Sequence, residues 1–179
     1  MSIYKDCDIR GIYNEEFCDE TAYDIGRAIG TIMKGKKVVV SGDVRISTEA
    51  LKEKLLQGLY ESGTHIIDLG MTPTPVFYYA KQLLAADGGI MVTASHNPAK
   101  YNGFKVVFGD RPVTPEDIKR VERIVQEGSF EKGQGQLEKA DVLDEYVQMV
   151  KNHTKKHRDL RIVIDAGNGA VSKIGPRIF

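Results

Sequence analysis

The sequence predicts an α/β fold: a mixed, mostly parallel sheet sandwiched by helices. Three observations support this prediction. Short apolar runs of the kind that are buried on both faces of a sheet alternate with amphipathic helical segments, as in βαβ units. Gly, Pro, Ser and Thr stand where these helices would begin and end. One apolar run follows its predecessor too closely for a helical crossover, so one antiparallel strand is expected.

The first half of the chain alternates helices and strands. An apolar stripe of Ala22, Ile25, Ile29 and Ile32 predicts an amphipathic helix over residues 19–33. The segments that follow are a strand over 37–41, a helix that starts at 47–48 and is stopped by Gly63, a strand over 65–69, a helix that opens at Thr72-Pro-Thr-Pro75, and a strand over 89–93. Prolines suit a first helical turn because the amide protons they lack would have no partner there.

The second half continues with a return strand and two more helices. The predicted segments are a strand over 104–108, a turn at 109–112, a helix that starts at 114–117, a loop over 128–135, and a helix over 141–152. Thr114 and Asp117 have the spacing of a capping box. After a basic cluster at 155–158, the apolar run 160–165 predicts another strand, and the glycine-rich turn 166–169 opens a last helix.

These segments suggest three parts. Residues 1–135 are expected to form the first domain, 136–158 a connecting helix and linker, and 159–179 the first strand and helix start of a second, similar domain. A strand suited to burial on both faces needs a sheet to join. We therefore interpret the chain as a fragment of a longer protein. Its incomplete second domain could allow two copies to associate.

Composition argues against several classes of protein. The 25 basic residues balance the 25 acidic ones, so we expect neither nucleic acid nor a membrane surface as a partner. No apolar run approaches the length of about 20 residues that a membrane span needs, and no signal peptide is recognisable. Cys7 and Cys18 match no CxxC spacing. The sequence therefore predicts a reduced, cytoplasmic protein.

The strongest functional signal is the segment Thr93-Ala-Ser-His-Asn-Pro98, which directly follows a buried-type strand. In open α/β sheets, ligands bind beyond the carboxyl ends of the strands, so Ser95 is expected to face a ligand. A turn at residues 101–103 would bring Lys105, on the return strand, back beside the serine. A serine held in this way can carry a phosphoryl group.

Several motifs, in this order along the chain, resemble those of the α-D-phosphohexomutases, and in particular the phosphomannomutase/phosphoglucomutase branch. They are Cys7-Asp-Ile-Arg-Gly11, Gly42-Asp-Val-Arg45, Thr72-Pro-Thr-Pro75, the serine segment with Asn102-Gly-Phe-Lys105, and Ile164-Asp-Ala-Gly-Asn-Gly169. The resemblance implies a first domain of the phosphoglucomutase type. Such enzymes have four domains, so most of domain two and all of domains three and four would lie outside this chain.

The resemblance also implies an activity in carbohydrate metabolism: the interconversion of hexose 1-phosphate and 6-phosphate by intramolecular phosphotransfer. In this scheme phospho-Ser95 donates to the sugar, and the bisphosphorylated intermediate returns its other phosphate to Ser95. Mg²⁺ is the implied cofactor, and Ser95 would contact it through its phosphate. The remaining ligands in the family, three aspartates of an Asp-Gly-Asp-Gly-Asp loop, are absent from this chain. The choice between glucose and mannose is made in domain three.

Roles for the other site residues are implied in the same way. Lys105 and Arg10 match the family's general acid/base apparatus. His96 and Asn97 would orient the phosphate, and His96 could also assist proton transfer. Arg45 would support the phosphoserine loop. One departure is Cys7, which stands where the family usually has tyrosine and puts a stacking or hydroxyl contact in doubt.

Two hypotheses about function remain. The chain is the N-terminal part of a phosphohexomutase, without appreciable turnover of its own, or it is a stand-alone phosphate-binding or interaction domain. Two other motifs have plainer interpretations. His153 and His157 have the i, i+4 spacing of metal ligands, but a solvated helix face is favoured in so basic a segment. The glycine turn 165–169 is expected to be structural.

Overall fold

A computed structural model describes residues 2–155 and 160–179 of the chain. Its elements in chain order are β1 (Ile9–Ile12), α1 (Asp19–Ile32), β2 (Lys37–Gly42), α2 (Thr48–Glu61), β3 (His65–Met71), α3 (Thr74–Leu83), β4 (Gly88–Val92), β5 (Tyr101–Phe108), α4 (Pro115–Glu127), β6 (Gln136–Lys139), α5 (Leu143–His153), a 3₁₀ turn (Ala170–Lys173) and α6 (Gly175–Ile178). Within the described residues, no helix is long and apolar enough to cross a membrane.

The strands form one six-stranded sheet in the order β1-β5-β4-β2-β3-β6. β5 runs antiparallel to both of its neighbours, whereas the pairs β2–β3, β2–β4 and β3–β6 are parallel. The predicted fold class, including its single antiparallel strand, is confirmed. From β2 the chain goes through α2 to β3, which lies on one side of β2 in the sheet. It then goes through α3 to β4, which lies on the other side of β2. β2 and β4 therefore flank a topological switch point, where a crevice is expected at their carboxyl ends.

Helices cover both faces of the sheet. One face packs against α1, α2 and α4, with Ile29, Leu55 and Val121 among the buried side chains. The other face packs against α3 and α5. The first layer is close-packed: a Cβ added at Gly26 would lie 2.4 Å from the carbonyl oxygen of Leu55 in the next helix. These two layers hold the strand ends in place, and the strand ends carry the loops of the site.

The sequence patterns did not predict the two edge strands. β1 is only four residues long and pairs with β5. β6 pairs with β3, and its four residues, Gln-Leu-Glu-Lys, are all exposed. An edge strand that is open to solvent needs no alternation of apolar and polar residues, which is the signal on which strand prediction depends.

The predicted turn at residues 101–103 is wrong, because these residues belong to β5. The chain reverses earlier, at 95–100. The side-chain amide of Asn102 donates to the hydroxyls of Ser47 and Thr48 at 2.9 and 3.0 Å. A Cβ at Gly103 would lie 2.1 Å from the carbonyl oxygen of Ile9 in β1. The Asn-Gly pair therefore serves close contacts with neighbouring chain segments rather than a turn.

The predicted strand over residues 160–165 is also not formed. A strand needs a neighbour for its backbone hydrogen bonds, and these residues pair with none of the six strands. The side chains of Leu160, Ile162 and Val163 are 62, 50 and 95% exposed. The predicted helix start after 169 is confirmed as the 3₁₀ turn and α6, where Ile174 is buried in the same core cluster as residues of α3 and α5.

Part of the basic segment 155–158 lies outside the described residues. His157, the second member of the predicted i, i+4 histidine pair, is among the residues not described. His153 ends α5, and its Nδ1 lies 2.8 Å from the carbonyl oxygen of Met149.

Thermolysin, which cuts before large apolar residues, should cleave the chain first between residues 159 and 164. An exposed segment without regular structure fits a protease active site far better than a packed strand or helix does. Intact-mass analysis of a digestion time course measures this. Substituting Ile162→Ser together with Val163→Ser is the control and should slow the first cut. First cleavage inside residues 9–153 would contradict the prediction.

Candidate functional site

A cleft of about 770 Å³ opens at the carboxyl ends of β2 and β4, where the topology predicts a crevice. Its walls come from four segments: residues 43–46 after β2, residues 73–74 at the start of α3, residues 93–99 after β4, and residues 169–171 near the end of the chain. The N-terminus of α3 contributes the positive end of a helix dipole to this cleft.

The loop after β4 presents Ser95 in an unusual backbone conformation. Ser95 has φ 57°, in the left-handed region that side chains other than glycine seldom adopt. This residue turns the chain, so that Ser95, His96 and Asn97 all line the same cleft. Ser95 and His96 are exposed. The backbone and side-chain amides of Asn97 both donate to the carbonyl oxygen of Ala94, at 3.0 and 2.8 Å, which tightens the turn.

Arg45 holds this loop from the neighbouring strand end. Its Nη2 donates to the carbonyl oxygens of Ser95 and Asn97, at 2.9 and 2.6 Å. Its Nη1 donates to those of Pro98 and Tyr101, at 2.8 and 3.0 Å. A guanidinium presents five donors in a rigid fork, so a single side chain can bond four carbonyls at once. Hydrogen bonds from a charged donor are also stronger than neutral ones.

Asp43 orients the arginine and ties in two threonines. Its Oδ1 accepts from the hydroxyl of Thr48 at 2.6 Å and from the backbone N–H of Arg45 at 2.9 Å. Its Oδ2 accepts from the hydroxyl of Thr93 at 2.7 Å and from Nε of Arg45 at 3.1 Å. The Arg45 and Asp43 side chains are only 12 and 13% exposed. The pair is therefore largely shielded from water and fully hydrogen-bonded, the condition under which a buried ion pair is retained.

Lys105 does not lie where the sequence placed it. It is opposite Met91 in the β4–β5 ladder, before the strand end that carries Ser95. It lines a second cavity, of about 560 Å³, whereas Ser95 lines the first. The displacement follows from the strand bounds: β5 already begins at Tyr101, so Lys105 lies along the sheet rather than at its edge.

Arg10 lies in β1, opposite Gly103. Its neighbour Ile9 is buried against the core on the α1 side, so the Arg10 side chain leaves the other face of the sheet, which is also the Lys105 face. Its Nη2 is 3.9 Å from Oδ1 of Asp8, a loose contact, and the Arg10 side chain is 32% exposed. The two predicted acid/base cations thus share a sheet face.

The second cavity is also lined by Cys7 and Lys81. Cys7, at the usual tyrosine position, is exposed. Lys81 in α3 is only 4% exposed, and its Nζ donates to Oδ1 of Asp110 at 2.7 Å. This hydrogen bond holds the pKa of the Asp110 carboxyl below its usual value. Lys81 is therefore engaged in an ion pair at the cavity wall.

The described residues do not make up a metal site by themselves. Across 2–155 and 160–179, no three His, Cys, Asp or Glu residues come together in a way that could hold an ion. Asp43, the carboxylate of the cleft, is already bonded to Arg45, Thr48 and Thr93. A Mg²⁺ site needs several free oxygen ligands, and Ser95 is one candidate donor in this cleft.

Fold and cleft together define an α/β/α domain that presents an exposed serine at its topological switch point. Comparison with known protein families agrees with this description of the domain. The family described as "Phosphoglucomutase/phosphomannomutase, alpha/beta/alpha domain I" matches residues 1–132. The chain belongs to the phosphoglucomutase/phosphomannomutase family.

Individual relatives agree with this assignment. A phosphomannomutase/phosphoglucomutase of Pseudomonas syringae pv. tomato is 38% identical over 181 residues, covering 99% of this chain and 39% of the relative. A probable phosphoglucosamine mutase of Pyrococcus abyssi is 41% identical over 175 residues, covering 94% of this chain and 38% of the relative. The crystal structure of a family protein from Burkholderia thailandensis superposes with a TM-score of 0.91 at 37% identity, covering 98% of this chain and 41% of that one. The chain thus spans about two-fifths of the length of these relatives.

The sequence predicts the family correctly, but it assigns no role to two residues that build the site. Asp43 and Thr93 act through contacts between chain segments some 50 positions apart, which no local pattern reveals. A usable signal was the Asp-x-Arg spacing directly after a buried strand, since Asp43 accepts the backbone N–H of Arg45 two residues on.

Substituting Arg45→Lys should lower the free energy of unfolding by about 2 kcal/mol, because an ammonium group cannot replace a fork that bonds four carbonyls and a carboxylate. Urea denaturation followed by circular dichroism measures this. The control is Arg123→Lys on the exposed side of α4, which should change the value by less than about 0.5 kcal/mol. Equal stability of the two variants would contradict the claim that Arg45 holds the serine loop in place.

Proposed function

We propose that this chain is the N-terminal part of a phosphohexomutase, an intramolecular phosphotransferase of the isomerase class, and that Ser95 carries the phosphoryl group. The observation that carries the proposal is the exposed Ser95, which is held in a left-handed turn at the cleft of a domain that matches this family. The relatives are named phosphomannomutase/phosphoglucomutase and probable phosphoglucosamine mutase, so the proposed substrate is a phosphorylated hexose.

The chemistry of the cleft suits this role. A serine phosphate ester is stable in water and reacts only when an acceptor is positioned in line with it. The phosphoryl group therefore stays on the serine until a sugar is in position. In the proposed step a sugar hydroxyl oxygen bonds to phosphorus as the bond from phosphorus to Oγ of Ser95 breaks. A nearby base takes the sugar hydroxyl proton, and a nearby acid protonates Oγ of Ser95. The reverse step on the second sugar phosphate restores phospho-Ser95. A cleft of about 770 Å³ lies within the range of small-molecule sites.

Other residues are proposed to bind and orient the reactants. His96 and Asn97 line the cleft beside Ser95 and are proposed to orient its phosphate. His96 is also proposed to assist proton transfer. The N-terminus of α3 adds a favourable dipole for an anion. Arg45 acts through the loop backbone. Lys105 and Arg10, which share a sheet face outside this cleft, are proposed as cations of the acid/base apparatus.

Mg²⁺ is proposed as the cofactor of the longer enzyme, where it would offset charge on the transferring phosphoryl group. Ser95, through its phosphate, is the ligand that this chain is proposed to contribute. The described residues do not complete such a site by themselves. Both cysteines are free thiols in the structure, which supports the proposal of a reducing, cytoplasmic compartment.

The second candidate is a stand-alone phosphate-binding or interaction domain. It is favoured by the lack of a complete metal ligand set among the described residues. In this case the exposed apolar residues at 160–164 are proposed to mediate self-association, since unpaired extended segments readily pair with other chains. The proposed division into domains at 135 and 158 applies to both candidates, with β6 and α5 of the middle part packed on the sheet of the first part.

The purified chain should show no appreciable mutase turnover with glucose 1-phosphate, glucose 1,6-bisphosphate and Mg²⁺. Among the described residues, the cleft offers a phosphoryl carrier but no set of metal ligands that would complete a phosphoryl-transfer site. A coupled assay of glucose 6-phosphate formation measures this, with a full-length family member as the positive control. Turnover near that of the control would show that the chain suffices for catalysis.

Ser95 should nevertheless accept a phosphoryl group slowly during a long incubation, because one transfer per chain demands far less of an incomplete site than repeated turnover does. After incubation with glucose 1,6-bisphosphate and Mg²⁺, mass spectrometry of the tryptic peptide 82–100 should find phosphate on Ser95 and not on Thr93, whose hydroxyl is buried and engaged. Ser95→Ala is the control and should take up none. An unmodified Ser95 would count against the carrier role and favour the second candidate.

A further inference from the structure

We propose that Asp43 and Thr93 are positioning residues, which hold the backbone of Ser95 in its left-handed conformation through a relay of two hydrogen bonds. The importance of this relay for catalysis rests on the proposed function of Ser95, but the relay itself can be tested without any activity.

The relay has a defined direction. The Thr93 hydroxyl donates its proton to Oδ2 of Asp43 at 2.7 Å, because an ionised carboxylate can only accept. The same hydroxyl oxygen is therefore left as an acceptor, and it receives the backbone N–H of Ser95 at 2.9 Å. The carboxylate thus fixes which way the hydroxyl points, and the hydroxyl fixes the amide of the serine.

The environment favours this relay over solvent. Thr93 is 5% exposed and the Asp43 side chain is 13% exposed, so water competes poorly for either group. The carboxylate charge is offset by the guanidinium of Arg45, whose Nε lies 3.1 Å from the same oxygen that Thr93 contacts. A residue with φ 57° persists only when its surroundings enforce that conformation. Arg45 holds the carbonyl side of Ser95, and the relay holds its amide side.

This arrangement has a consequence for a phosphorylated serine. A free amide at Ser95 could bond its own phosphate, which would hold the group against the loop. With that N–H engaged by Thr93, the phosphate oxygens are left for groups of the cleft and for the sugar. Catalysis is sensitive to such placement, since a displacement of about 1 Å can cost about 100-fold in rate.

Hydrogen exchange of the Ser95 amide, measured by NMR with short exchange pulses on the full chain, tests the relay. Thr93→Val keeps the shape and removes the hydroxyl, so exchange at Ser95 should become about fivefold faster. Thr93→Ser keeps the hydroxyl and should restore the wild-type rate. Thr154→Val, which removes a hydroxyl bonded to the helix backbone at Val150, is the matched control and should leave Ser95 unchanged.

Wild-type exchange in Thr93→Val, or equally fast exchange in Thr93→Ser and Thr93→Val, would overturn the relay. The amide of Met91 in β4 reports whether each variant is folded. If Thr93→Val does not fold, Asp43→Asn decides by the same criterion, with faster Ser95 exchange expected. Phosphorylation of Ser95 is scored separately in wild type and Thr93→Ser. Intact exchange protection without phosphorylation would contradict the proposed function and leave the relay standing.

Discussion

The site depends on one interaction, the four hydrogen bonds that Arg45 makes to the carbonyl oxygens of the serine loop. Loop carbonyls normally bond to water, which leaves an exposed loop free to move. Here a single largely buried guanidinium takes the place of that water, and Asp43 both neutralises and orients it. The charge-assisted bonds offset the strain at Ser95. The result is an exposed residue on a loop whose carbonyl groups are bonded to the protein.

The topology explains why this interaction lies where it does. Because β2 and β4 are neighbours whose connections leave in opposite directions, their carboxyl ends frame a crevice. The loop after β2 supplies Asp43 and Arg45, and the loop after β4 supplies Thr93 and Ser95. Each loop alone would be an ordinary turn. Together they form a rigid platform, while Lys105 is placed in a separate cavity on the sheet face.

Much of this could be predicted from the sequence, because the central strands and the helices carry strong periodic patterns. Ser95 was recognised from its place after a buried strand. The exposed edge strand β6 was missed, since no burial pattern marks it, and residues 160–165 pair with no neighbouring strand although their composition suits one. The relay from Asp43 through Thr93 was beyond local rules altogether, because it joins chain segments that meet only in the folded sheet.

The most direct test of this account is the backbone mobility of the serine loop, measured as ¹⁵N order parameters by NMR relaxation. If Arg45 and Asp43 fix the loop, the amides of Ser95, His96 and Asn97 should have order parameters of about 0.85, the value of rigid backbone, despite the exposure of the loop. Values below about 0.6, typical of flexible loops, would contradict the claim that the loop is held as a preorganised phosphoryl carrier.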